Sequence, residues 1–189
     1  SHLATSYTNL GRFRSADDPA FAEQYLLKAL EIQKKLIETY PDVLEYKNDL
    51  VLNHNYLGAL KRSQGKLDEA EAYYALAREV ESLLAKKAPA VVKYRLDSAV
   101  SENNLGRIYC EKGEYEKAEA VFATARKQLE GLVAEYPENV HYRGSLGGTL
   151  NNLGMVLENL GRTDEAVQVY AEAIRQQERA HRSAPSVEQ

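Results

Sequence analysis

The stretch from residue 103 to residue 137, NNLGRIYCEKGEYEKAEAVFATARKQLEGLVAEYP, decides the fold. Leu105, Ile108 and Tyr109, with Tyr94 upstream, fall mainly at helical rather than alternating spacing, which predicts a helix A from Val91 to about Lys112. Gly113 then supplies a stop, because without a Cβ it enters the left-handed region at little cost. From about Tyr115, the residues Ala118, Phe122, Ala125, Leu129, Leu132 and Val133 keep a rhythm of three to four. That rhythm describes an amphipathic helix B of about 20 residues and ~30 Å. Pro137 closes it by pushing Tyr136 out of α geometry.

The same plan recurs through the chain. Pro41, Pro89, Pro137 and Pro185 stand 48 residues apart, as do Gly65, Gly113 and Gly161, Tyr46, Tyr94 and Tyr142, and Ala22, Ala70, Ala118 and Ala166. Self-similarity at such a period marks a solenoid, in which no unit buries its apolar face alone and neighbours stack. The expectation is an all-α fold, a right-handed α-solenoid of about four helix-turn-helix repeats and roughly eight antiparallel helices. It covers residues 1–189 as one domain, with repeats at 1–41, 42–89, 90–137 and 138–185. Small alanines let paired helices approach closely, and the aromatic or leucine one turn on fills the space beside them.

Helix starts are read from local chemistry. Asp42 and Glu45 after Pro41 are placed like a capping box, and Asn139 after Pro137 is placed as an N-cap. Asp68-Glu69 and Asp164-Glu165 fall in first turns of helix B, where they favour the helix dipole. The first repeat is irregular: its connection Ser15-Ala16-Asp17-Asp18-Pro19 lacks the glycine and is one residue shorter. Its helix A lacks its opening turns. The run from Ser183 to Ser186 is polar and turn-rich, so fraying is expected there. Gly144, Gly147, Gly148 and Gly154 crowd the fourth helix A, where each costs about 1 kcal/mol relative to alanine. Either they admit a neighbouring helix or a ligand at close range, which is the expectation, or that helix is loose.

Composition narrows the function classes. Hydrophobic residues at 44% and charged residues at 28% match a chain that folds. The formal net charge of −4, without a dense basic stripe, makes nucleic acid a poor partner. Cys110 is the only cysteine, so no internal disulfide forms, which fits a reducing compartment and a cytoplasmic location. No apolar stretch approaches the roughly 18 residues of a membrane span, and no charged-then-apolar leader opens the sequence. Met155 is the only methionine, so the sequence is expected to be a segment of a longer protein.

Leu105-Gly106, Tyr109, Ala118, Phe122 and Pro137 together resemble the tetratricopeptide repeat, whose signature runs Leu-Gly, aromatic, Ala with an aromatic four residues on, then Pro. The resemblance extends over the whole chain. The repeat here is longer than the usual ~34 residues, and Tyr7, His54, Glu102 and Leu150 stand where the signature has tryptophan. In its long helices and its runs Asn103–Gly106 and Asn151–Gly154 the array looks like the kinesin light chain type.

That resemblance implies that helix A of each repeat lines a concave groove. Counting from the Leu-Gly pairs, it selects Thr8, Asn9 and Arg12, then Asn55, Tyr56, Ala59 and Arg62, then Asn103, Asn104, Arg107 and Cys110, then Asn151, Asn152, Met155 and Glu158. A carboxamide offers donors and an acceptor, so a ladder of asparagines can bond the backbone of an extended peptide whatever its side chains. The other reading is that these asparagines bond neighbouring helices or local carbonyls and hold no ligand. Arg12, Arg62 and Arg107 are placed to grip carboxylates, with solvated arginines as the alternative. Glu111 and Glu158 dilute any basic character and disfavour a strict carboxylate clamp.

Nothing points to catalysis, a metal or a cofactor. His2, His54, His141 and His181 show no paired metal spacing, and no His or Lys adjoins Cys110 to lower its pKa. The expected role is a scaffold that captures a protein partner's peptide in the groove. The alternative is a structural spacer, or a solenoid that self-associates end to end as a homo-oligomer.

Overall fold

The computed structural model describes residues 2–183, which form eight helices joined by short turns. They are α1 (His2–Arg14), α2 (Pro19–Thr39), α3 (Leu44–Ser63), α4 (Leu67–Lys87), α5 (Val92–Lys112), α6 (Tyr115–Glu135), α7 (Val140–Asn159) and α8 (Thr163–Ser183). The fold is an all-α solenoid of helix pairs, and odd-numbered helices are the A helices. The chain divides into two compact units, Ser1–Tyr94 and Arg95–Gln189. The expectation for Ala184 to Ser186 lies outside the described residues.

Each pair is held by the Leu-Gly motif of its A helix. A Cβ added at Gly106 would stand 2.6 Å from the Phe122 ring, and one at Gly154 would stand 2.6 Å from Tyr170. In the first unit the distances are 2.7 Å from Gly11 to Leu26 and 2.9 Å from Gly58 to Tyr74. Glycine is therefore the socket and the bulky residue of helix B the plug. Ala22, Ala70, Ala118 and Ala166, one turn before each plug, are buried. The first unit's core joins Ala22, Leu26 and Leu30 of α2 to Leu57 and Leu60 of α3, with Leu50 packed against them.

The turns follow the sequence closely. Gly65, Gly113 and Gly161 take φ of 73°, 74° and 74°, the left-handed stop that only glycine adopts cheaply. Asp18, which the sequence did not mark as a cap, closes the start of α2 by accepting from Phe21 N at 3.0 Å, with Pro19 as the first helical residue. Asn139 caps α7 through Oδ1, which accepts from His141 N and Tyr142 N.

The capping box at Asp42 and Glu45 does not form. Helix α3 begins at Leu44 behind Val43, and no side chain caps it. The register explains this: Val43 occupies the place that Asn139 holds two repeats later, and Asp42 sits one residue too early. Glu45 still lies in the first turn, where its charge favours the dipole.

The crowded glycines of α7 divide into two kinds. Gly147 and Gly154 face α8 closely, and a Cβ at Gly147 would stand 2.8 Å from Gln177 Cγ, whereas Gly144 and Gly148 have nothing within 4 Å of that position. Alanine at 144 or 148 should therefore raise stability by up to about 1 kcal/mol through helix propensity, while Gly154→Ala should lower it. Urea midpoints of the three variants check this, and a destabilised Gly148→Ala would overturn it.

Candidate functional site

In the second unit, α5 and α7 lie side by side and leave an open groove of about 520 Å3 between them. Helix α5 lends it Asn103, Asn104 and Arg107, and α7 lends it Thr149, Asn151 and Asn152. One amide is committed to structure. Asn103 Nδ2 donates to Thr149 Oγ1 at 2.8 Å and to Ala99 O at 3.0 Å, so it ties α5 to α7 and sets the floor of the groove. Thr149 in turn donates to Ser145 O at 3.0 Å. Asn103 Oδ1 is buried with no donor among the described residues.

The remaining amides are uncommitted. Among the described residues, the side chains of Asn104, Asn151, Asn152 and Arg107 make no hydrogen bond or ion pair, and Arg107 and Asn151 are exposed. Val100 and Gly148 supply the apolar part of the wall. The groove thus combines three free carboxamides, one free guanidinium and, at Gly148, one wall position without a side chain.

The first unit arranges its candidates differently. Asn55 donates from Nδ2 to Glu81 Oε1 of α4 at 3.4 Å, which turns it towards its own repeat's helix B. Arg62 is half-buried and takes part in the fold's own contacts. Arg12, Tyr56 and Ala59 meet at a separate hollow of about 380 Å3, whose base is Leu26 and whose rim includes Ser15 and Pro19. Asn9 and Thr8 lie outside both hollows, Asn9 exposed and Thr8 buried. In the second unit Cys110 is half-buried, and burial, then the charge of Glu111, pushes its thiol pKa up, the opposite of activation. Met155 is exposed, and Glu158 accepts from the Tyr170 hydroxyl at 3.3 Å.

Several groups gave no clear signal in the sequence. Thr149 and Ser101 are buried, and Asn53, in the same register, donates from Nδ2 to Leu26 O and Gln33 Oε1. These three stand four residues before their Leu-Gly leucines, so a polar register on an otherwise apolar face was the available clue. Lys61 is buried too, with Nζ 2.7 Å from both Glu23 and Glu69.

No histidine enters the groove. His54 is buried beside Tyr73, its Nδ1 without a partner among the described residues, and desolvation, then the charge of Lys34, lowers its pKa to about 4. Because the folded pKa lies below the unfolded one, the unfolded chain binds the extra proton between pH 6.5 and 4. Stability should therefore fall as pH drops through that window, by up to about 3 kcal/mol from this group. Comparing urea midpoints at pH 7 and pH 4.5 for the wild type and His54→Leu tests this, since the variant should lose less on acidification. Equal losses would remove His54 as the cause.

Among the described residues no cluster of three or more His, Cys, Asp or Glu is placed to hold a metal, and no helix is long and apolar enough to cross a membrane.

Paired helices with a glycine socket and a bulky plug, stacked within each unit so that helix A of one pair packs on helix B of the pair before it, define a helical-repeat protein. Residues 103–132 and 146–181 each match a family model of the tetratricopeptide repeat. Those two stretches carry tetratricopeptide repeats, the repeat of protein-interaction scaffolds. A comparison with curated proteins finds no match. Among solved structures, the DHF58 filament is 17% identical, covers 96% of this chain and 91% of its own, and superposes with a TM-score of 0.50, which supports the shared fold. The MamA protein is 18% identical over 99% of this chain and 98% of its own, with a TM-score of 0.48. A Podosopora anserina putative kinesin light chain with nearly identical TPR-like repeats is 14% identical over 96% and 99%, with a TM-score of 0.40.

Proposed function

We propose that the groove between α5 and α7 binds an extended peptide of a protein partner through that peptide's backbone. The observation that carries this is the set of three uncommitted carboxamides, Asn104, Asn151 and Asn152, around a groove whose floor is already braced by Asn103 and Thr149. A carboxamide both donates and accepts, which matches the alternating N–H and C=O of an extended chain. Arg107, exposed and unpaired among the described residues, adds preference for a carboxylate nearby. In this reading the chain is a non-catalytic adaptor of the cytoplasm that needs no cofactor. Its net charge of −4 disfavours nucleic acid.

The test is selection from a phage-displayed library of randomised peptides, followed by affinity measurement on the combined variant Asn104→Ala, Asn151→Ala and Asn152→Ala. None of the three amides has a partner among the described residues, so helical content should be unchanged. Losing three hydrogen bonds of about 1 kcal/mol each should weaken binding roughly 100-fold. Failure of the wild type to select any peptide, or unchanged affinity in the variant, would end the groove reading.

A further inference from the structure

Gly148 is a helical glycine that packing does not explain. Nothing lies within 4 Å of the point where its Cβ would stand, whereas Gly147 and Gly154 on the same helix press against α8. Glycine is a weak former of helix interiors, so the position loses stability without gaining a close contact. One and two repeats earlier the same register carries Val100 and Leu52, both exposed, so the fold accepts a branched apolar side chain there. Gly144 is equally open, but of the two only Gly148 lines the groove. With Val100 on the other wall, it leaves a notch.

We infer that this notch is a side-chain pocket, and that the partner peptide places a bulky apolar side chain there, against Val100 and Gly148. The inference rests on the peptide-groove reading above and adds which peptides the groove selects. The groove is graded along its length. On α5, Val100, Asn104 and Arg107 follow one another on one face, and on α7, Gly148 and Asn152 do. One end is therefore apolar, the middle carries amides, and the other end carries Arg107. Among the described residues, Arg107 is the only charged member of the lining. With no carboxylate in the lining to neutralise it, Arg107 complements an acidic side chain. Val100 and Arg107 stand seven residues apart on one helix, which is about 10 Å. An extended peptide rises about 3.3 Å per residue and presents alternate side chains to one face, so residues two or four apart bracket that separation. The ligand is thus an extended segment with a bulky apolar residue two or four positions from an aspartate or glutamate.

The experiment runs the randomised-peptide selection in parallel on the wild type, Gly148→Leu and Gly144→Leu. The last is the control, on the same helix but outside the groove lining. Both substitutions put a good helix former where a Cβ meets nothing, so urea midpoints should not fall below that of the wild type. The wild type and Gly144→Leu should select peptides with the apolar and acidic residues at the stated spacing. Gly148→Leu should bind those peptides at least about tenfold more weakly, and should itself select glycine, alanine or serine at the apolar position. Replacing the apolar residue of a selected peptide by alanine tests the notch without altering the protein, and should weaken binding to the wild type but not to Gly148→Leu. Two results overturn the inference and leave the groove reading standing, provided the peptides still lose affinity for the triple asparagine variant. One is selected peptides with no apolar enrichment, and the other is equal binding to the wild type and Gly148→Leu. A wild type that selects no peptide ends both.

Discussion

Phe122→Ala is expected to lower the stability of the second unit by about 3–5 kcal/mol, the range for deleting a fully buried aromatic ring. Phe122 has no exposed surface, and its ring is the plug against which α5 closes at Gly106. The helix-propensity gain from alanine is a few tenths of a kcal/mol, far too small to offset the cavity. The same contact predicts a coupling. Gly106→Ala alone should cost about 1–3 kcal/mol, because its Cβ would press on the ring and neither helix backbone can withdraw without losing contacts along its length. Once the ring is gone the methyl group has room, so the double variant should be less destabilised than the sum by at least about 1 kcal/mol. Urea titrations followed by circular dichroism measure all three, and strict additivity would show that the two residues do not press on each other.

The second large effect concerns Lys61. Its ammonium lies 2.7 Å from Glu23 of α2 and 2.7 Å from Glu69 of α4, and its side chain is 4% exposed. Burial alone would lower its pKa, but the hydrogen bonds to both glutamates outweigh that and the net direction is up. Removing both partners, as in Glu23→Ala with Glu69→Ala, leaves a buried cation without a counter-charge and should cost about 3–5 kcal/mol. Lys61→Met should cost much less, within about 1 kcal/mol, because the freed carboxylates reach water and the thioether fills a similar volume. The pH dependence separates this from simple loss of packing. In the double-alanine variant desolvation dominates, so the folded pKa of Lys61 falls below its unfolded value. The unfolded chain then binds more protons between those values, and the variant's stability should recover as pH rises through that window. The wild type, whose folded pKa is raised, should show no such recovery. A flat profile in the variant would refute the stranded-charge account.

How far the sequence could be read depended on which kind of group was at issue. Ala118 and Phe122 were legible as packing positions from their helical spacing, but that Gly106 and Gly154 are the sockets for Phe122 and Tyr170 came from the structure. The stops at Gly65, Gly113 and Gly161 were legible because positive φ disfavours other residues locally. The capping box was misread by one position, as a carboxylate reaches N–H groups only from the residue directly before the first turn. Asparagines were harder. Asn55 and Asn103 look alike in sequence to Asn104, Asn151 and Asn152, yet Asn55 turns to Glu81 and Asn103 to Thr149 while the other three stay uncommitted among the described residues.

The 48-residue period by itself determined the helices, their ends and which faces must be apolar, because backbone propensity and the hydrophobic effect act through spacing. Tertiary structure alone decided which polar side chains are spent on holding helices together and which are left over. A hydrogen bond requires a partner within about 3 Å, and that partner can stand 26 residues away, as Glu81 does from Asn55, or 46, as Thr149 does from Asn103.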